Sequence, residues 1–181
     1  MISTVGQLFY EIDRHFLSVP RLNYVTIFTQ SEKQVEGWFK GELLYLFAAL
    51  KEQGQLAHWD CEVALPSLGR KRIDFLVTLD GMPLYLEIKT LYHGLQRGTP
   101  IDLSLYFYKD DVGIWPDIQK LAVVAGGLRF CLLFVYPAPV QQQWQQRMNS
   151  YAQKIAPITL NEVSNLALYP SALYIAKLEV S

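Results

Sequence analysis

The chain has only two cysteines, three histidines and almost no net charge, and each scarcity removes a class of protein. Cys61 and Cys131 each sit inside an apolar, strand-like run, away from any metal-binding or redox spacing. They read as buried, reduced thiols rather than as a disulfide pair. His15, His58 and His93 are scattered, with no second histidine or cysteine at ligand spacing, which argues against zinc chemistry. A formal net charge of −1 argues against a protein that coats nucleic acid by bulk electrostatics, because such proteins carry a large basic excess. Any phosphate binding has to be local. No stretch reaches the roughly 18 to 20 consecutive apolar residues that a membrane-spanning helix needs. The N-terminus also lacks a basic segment followed by an apolar run. A soluble, cytoplasmic protein is expected.

Apolar residues, by contrast, are plentiful: they make up 51% of 181 residues, enough for one sizeable core and short for two, so residues 1–181 are expected to form a single domain. Helices are expected from Val5 to Leu17, stopping before Pro20, and from Glu32 to Gln53, stopping at Gly54, the latter carrying Phe39, Leu43, Leu46, Phe47 and Leu50 on one stripe. Strand-like runs follow from His58 to Leu65, Lys71 to Leu79 and Met82 to Leu91. An irregular segment from Tyr92 to Gly113 precedes a helix from Pro116 to Ala125 and a continuous apolar run from Leu128 to Tyr136. A run buried on both faces suits a central strand with parallel neighbours. A glutamine-rich helix from Pro139 to Ile155, with Trp144, Met148 and Tyr151 at helical spacing, leads to strand-like Leu166 to Tyr169 and Ala172 to Val180. The order α-β-β-β-α-β implies an α/β fold, a central mixed β-sheet flanked by helices.

Asp80-Gly81 between two apolar runs is a strong hairpin signal. If it forms a two-residue loop, Leu79 lies opposite Met82, Val77 opposite Leu84, Phe75 opposite Leu86, Asp74 opposite Glu87 and Arg72 opposite Lys89. Alternation then sends Ile73, Phe75, Val77, Leu84, Leu86 and Ile88 to one face, and Arg72, Asp74, Glu87 and Lys89 to the other. Directly opposed residues have Cβ atoms about 4.5 to 5.5 Å apart, and two carboxylates at that distance repel unless a cation or a proton intervenes. Mg²⁺ or Mn²⁺ suits the pair, since such ions take one or two carboxylates and complete their shell with water and phosphate oxygens. A metal held there would activate water and polarise a phosphoryl group, the chemistry of phosphodiester hydrolysis, with Lys89 placed to orient the water or offset developing charge. The alternative is a solvated strand face on which Arg72 and Lys89 simply pair with the acids. Arg70, Lys71 and Arg72, followed by Lys89, His93 and Arg97, form the one basic cluster, and it surrounds the motif.

Arg-Ile-Asp74-Phe-Leu-Val, a turn, and then Leu-Glu87-Ile-Lys89-Thr resembles the PD-(D/E)XK nuclease superfamily. Its restriction endonuclease-like core has a helix, a three-strand meander, a helix and a strand, and its members include restriction endonucleases, junction resolvases and repair nucleases. The resemblance spans roughly Glu32 to Tyr136, with Ile73 where the motif has proline. It implies Mg²⁺ or Mn²⁺ held by Asp74 and Glu87, Lys89 as the catalytic lysine, and a glutamate on the preceding helix that helps hold the metal. Glu42 is the choice for that glutamate, with Glu36 as the substitute. Arg72, His93, Gln119 and Lys120 become possible substrate contacts, with Gln119 or Lys120 alternatively steadying Glu87, DNA the expected partner, and a homodimer the expected route to a double-strand cut. A catalytically silent member of the same fold, binding nucleic acid or assembling with protein, is the rival reading. Tyr106, Phe107 and Tyr108 alternate with leucines in a way that favours packing over base stacking.

Overall fold

The computed structural model describes residues 1–108 and 113–181. Five α-helices and eight strands are assigned among them: α1 Val5–Phe16, α2 Val19–Gln30, α3 Glu36–Glu52, β1 His58–Ala64, β2 Arg72–Leu79, β3 Met82–Tyr92, β4 Leu95–Gln96, β5 Thr99–Pro100, α4 Trp115–Ala122, β6 Leu128–Tyr136, α5 Gln141–Lys154, β7 Leu160–Glu162 and β8 Tyr174–Val180. Six strands form one sheet in the order β1-β2-β3-β6-β8-β7, and β4 and β5 form a separate short hairpin. The expected mixed sheet flanked by helices is therefore present.

The hairpin register is the expected one. Asp80 (φ 48°) and Gly81 (φ 79°) both adopt the left-handed region that a tight turn of this kind requires. Leu79 pairs with Met82, Val77 with Leu84 and Phe75 with Leu86. β3 then runs parallel to β6 from Leu84↔Leu128 to Tyr92↔Tyr136, while β6 and β8 are antiparallel. The long apolar β6 run thus has one parallel and one antiparallel neighbour, where parallel neighbours on both sides were expected.

Two apolar clusters cover the two faces of this sheet. Phe75, Val77, Leu84, Leu86 and Ile88 pack with α1 and with the Phe39, Leu43, Phe47 and Leu50 stripe of α3. Tyr85, Leu91, Cys131, Leu133 and Val135 pack with Ile118 and Leu121 of α4 and with Trp144, Met148 and Tyr151 of α5. Ile73 belongs to the second cluster, although strict alternation puts it with Phe75. The other face, expected to carry Arg72, Asp74, Glu87 and Lys89, is itself covered, because α4 lies over it.

Four further differences have local causes. Pro20 was expected to mark only the end of the first helix, but it opens α2 instead, since proline is pre-organised for a first turn. α3 starts at Glu36, four residues later than expected, because Glu32 lies at φ 52° and breaks the backbone there. The expected strand Leu166 to Tyr169 is a 3₁₀ turn from Leu166 to Leu168 capped by Asn165, and Leu160–Glu162 pairs with β8 instead. The expected irregular segment holds the β4–β5 hairpin and a 3₁₀ turn from Leu103 to Phe107; its residues 109–112 lie outside the described residues. Tyr106 and Phe107 are buried and Tyr108 is exposed. Among the described residues no helix is long and apolar enough to cross a membrane.

Away from the hairpin, α1 is tied to β8 by the buried Lys177, whose ammonium donates to Asp13 at 2.6 and 2.7 Å and contacts the Tyr169 hydroxyl. Burial lowers the Lys177 pKa, and Asp13 partly restores it. At the start of α3, the Tyr136 hydroxyl donates to Lys33 O and accepts from Val35 N–H, closing backbone groups that precede the helix.

Phe39 is fully buried and stacks on Phe134 at 4.5 Å, with Trp38 at 4.9 Å, so it joins α3 to the central strand. Phe39→Ala is expected to lower the unfolding free energy by about 3 to 5 kcal/mol, read as a shift in the urea midpoint at constant slope.

A candidate acidic site at the parting of two strands

The β2–β3 ladder stops at Phe75↔Leu86, and beyond it Asp74 takes over the role of a backbone acceptor. Its Oδ2 accepts from Ile88 N–H at 2.8 Å, so the carboxylate sits beside the residue that follows Glu87. The expected facing of Arg72 and Lys89 does not form. Arg72 pairs with Ala64 of β1 and donates its guanidinium to Glu62 O at 2.9 Å, leaving its own carbonyl to accept from Lys120 at 3.2 Å. Two strands that part can admit side chains from the helices on either face.

Lys40 of α3 reaches Asp74 Oδ1 at 2.8 Å from one side. Lys120 of α4 reaches Glu87 Oε2 at 2.6 Å from the other. Each lysine also has an acid one turn away on its own helix: Glu36 at 3.4 Å from Lys40 and Asp117 at 3.5 Å from Lys120. Lys89 stands between the two helices, 4.0 Å from Glu36 and 3.9 Å from Asp117. Asp74 (8% exposed) and Glu87 (1%) are buried, so the solvated strand face considered from the sequence is not what this hairpin presents. The acids pair with Lys40 and Lys120, not with Arg72 and Lys89.

Burial is the main cause pushing the Glu87 carboxyl up to about 8; the neighbouring Asp74 charge adds to it and Lys120 opposes it. Asp117 is raised by burial too, against Lys89 and Lys120. For Lys40 and Lys120, burial works against the ammonium, but the carboxylates outweigh it and both are raised. Glu87 Oε1 is buried and has no hydrogen-bond partner among the described residues. An oxygen in that position is costly as an anion unless a proton or a cation meets it. Asp74 and Glu87 are the hard oxygen donors a divalent cation would use. Among the described residues no three histidine, cysteine or acidic side chains form a metal-binding group, so solvent and substrate would supply the remaining ligands.

The other expected residues are distributed as follows. Glu42, the chosen helix glutamate, is drawn away from this group: its Oε2 meets His15 at 2.8 Å and Arg21 at 2.7 Å. The substitute, Glu36, is the α3 glutamate at the site, because it occupies the first turn of α3, near the parting, while Glu42 lies six residues further on. His93 is held by Pro137 O at 2.6 Å and its pKa is lowered by burial. Gln119 is exposed beside Lys71, Ser67 and Lys120 in a shallow groove of about 280 Å³. Lys40 and Asp117 were not singled out from the sequence. Their spacings to Glu36 and Lys120 mark ion pairs on any helix surface, and nothing in the sequence says that both helices meet at one point.

No protein-family model, no curated protein and no solved structure matches the chain.

The titration of Glu87 gives a signed expectation. The folded state keeps a proton on Glu87 up to about 8, whereas the unfolded chain releases it near the ordinary value of 4.5. Stability attributable to this group is complete below the lower value and is lost as pH rises towards the upper one, by at most about 1.4 kcal/mol per pH unit. Urea midpoints measured across that window should fall with pH, and Glu87→Gln should flatten the slope.

Proposed function

We propose that this chain is a Mg²⁺- or Mn²⁺-dependent nuclease of the PD-(D/E)XK type, hydrolysing DNA phosphodiester bonds at Asp74, Glu87 and Lys89. The observation that carries the reading is the buried pair Asp74 and Glu87, beside a parted strand ladder, with Lys89 on the same strand as Glu87 and Glu87 Oε1 without a partner. Support also comes from the order α3, the β1–β2–β3 meander, α4 and then β6 parallel to β3, which agrees with a restriction endonuclease-like core. Two free thiols at Cys61 and Cys131 agree with a reducing, cytoplasmic setting.

A divalent cation bound there supplies an activated water and charge stabilisation at the scissile phosphate. Asp74 and Glu87 would hold it, with solvent and substrate oxygens completing its shell; Glu36, 3.4 Å from Lys40 and 4.0 Å from Lys89, is the α3 glutamate beside them, where Glu42 was expected. Lys89, about 4 Å from Glu36 and from Asp117, has no closer acidic partner among the described residues and orients the attacking water or offsets charge on the phosphate. The exposed Arg70, Lys71 and Arg72 lie beside the site and supply local attraction for a DNA backbone in a chain of net charge −1. A double-strand cut requires two such sites, which a homodimer would provide.

One observation favours the second reading, a catalytically silent module of the same fold: both strand carboxylates already hold lysine partners. Calorimetric titration with Mn²⁺ separates the two, since the silent module shows no binding that depends on Asp74 and Glu87. For the nuclease, incubation with supercoiled, linear, single-stranded and branched DNA is expected to give cleavage with Mg²⁺ or Mn²⁺. Asp74→Asn and Lys89→Ala should each reduce it by about 100-fold or more. Absence of cleavage with either ion, or full cleavage by the Lys89→Ala variant, would refute the assignment.

A further inference from the structure

We propose that Lys40 and Lys120 exchange partners during the working cycle, holding Asp74 and Glu87 in the empty site and passing to substrate phosphates when a divalent cation takes their place. The inference rests on the metal-dependent reading above. It adds Lys40 to the substrate contacts, ties that of Lys120 to the arrival of the cation, and makes cation and nucleic acid bind cooperatively.

The two lysines are placed alike. Lys40 stands one turn from Glu36 on α3, and Lys120 stands one turn from Asp117 on α4, so each ammonium lies between a strand carboxylate and a helix carboxylate. In both cases the strand acid is the closer, at 2.8 Å against 3.4 Å and at 2.6 Å against 3.5 Å. A lysine with two acceptors can give up one without being stranded. Its side chain remains beside the helix acid and directs another N–H at a new anion, which a three-donor ammonium on a flexible stem allows.

The strand acids have less freedom. Glu87 is 1% exposed, and its anion, the form that ligates a cation, would be buried and uncompensated with Lys120 removed and nothing in its place. Lys120 can therefore leave the ionised carboxylate only as a cation arrives. A cation entering against two ammoniums meets repulsion, which falls once those ammoniums face phosphate. Each ligand removes the obstacle to the other, and linkage requires the two effects to be equal. Lys120 is also well placed to meet a backbone, since it lines the groove shared with Lys71 and Gln119.

The test measures Mn²⁺ binding to the full chain from the electron paramagnetic resonance of free aqueous Mn²⁺. Three arms are compared: protein alone, protein with a short phosphorothioate DNA duplex, and protein with a methylphosphonate duplex of the same sequence, with binding to each DNA alone subtracted. The phosphorothioate duplex is expected to tighten Mn²⁺ binding about fivefold or more. Mn²⁺ should tighten duplex binding by the same factor in fluorescence anisotropy, and the uncharged duplex should do neither. Lys40→Gln and Lys120→Gln should each bind Mn²⁺ more tightly than the parent without DNA and show a smaller coupling factor. Lys51→Gln removes the same charge from the exposed last turn of α3, the end opposite Glu36, and should leave Mn²⁺ binding unchanged in every arm. The two lysine variants are independent, so if one fails to fold the other decides. Equal Mn²⁺ affinity with and without the anionic duplex, or Lys→Gln variants no tighter than the parent, overturns the exchange and leaves the nuclease reading standing. Mn²⁺ binding that is absent in every arm, or insensitive to Asp74→Asn and Glu87→Gln, overturns both.

Discussion

The Asp80-Gly81 turn governs which face every side chain of the β2–β3 hairpin occupies. Because side chains along a strand alternate, a slip of one residue would exchange the two sets. Leu84, Leu86 and Ile88 would leave the cluster under α1 and α3, and the charges of Glu87 and Lys89 would enter it. Burial of an unpaired charge in such a cluster costs far more than the turn itself contributes, so turn geometry and face chemistry enforce one register. β3 then sets the register of β6, and β6 that of β8, so the central strands inherit their faces from one dipeptide.

The same register produces the polar site. Regular pairing ends where Asp74 would meet Glu87, and the Asp74 side chain caps the Ile88 N–H that the parted strands leave unpaired. The charges gathered there come from three layers: Asp74, Glu87 and Lys89 from the sheet, Glu36 and Lys40 from α3, and Asp117 and Lys120 from α4. Four carboxylates against three ammoniums leave one negative charge in excess, and the raised Glu87 pKa accommodates it with a proton. Glu36 and Asp117 lie in the first turns of their helices, where the helix dipole favours an acid, and this helps hold both residues at the parting.

Some features here serve packing where the residue types alone suggest chemistry. Asp13, Lys177 and Tyr169 form a buried ion pair with a hydroxyl attached, yet they join α1 to the sheet edge with every lysine proton directed at an oxygen. Glu162 is likewise bound by Trp144, Ser164 and Tyr174, locking α5 to β7 and β8. Both groups are closed. At the parting, by contrast, Glu87 Oε1 is left without a partner among the described residues, and each of Lys40 and Lys120 has a choice of two acids.

The sequence by itself determined what depends on near neighbours along the chain. The 3.6-residue stripe of Phe39, Leu43, Leu46, Phe47 and Leu50 defined the body of α3, Asp-Gly defined the hairpin and its pairing, and the nine residues from Leu128 to Tyr136, apolar but for Arg129, defined the central strand. Local signals were weaker at the helix starts, where Pro20 reads as a stop or as a first-turn residue with equal ease. Tertiary structure alone decided which charges meet. Glu36 and Glu42 both lie beside the apolar stripe of one helix, and only the approach of Arg21 and His15 on one side and of Lys89 on the other separates them. Lys40, Asp117 and Lys120 are ordinary helix-surface residues until α3 and α4 close on opposite faces of the sheet. Charge–charge energies depend on distance in space and on the dielectric around the pair, and neither is encoded in spacing along the chain.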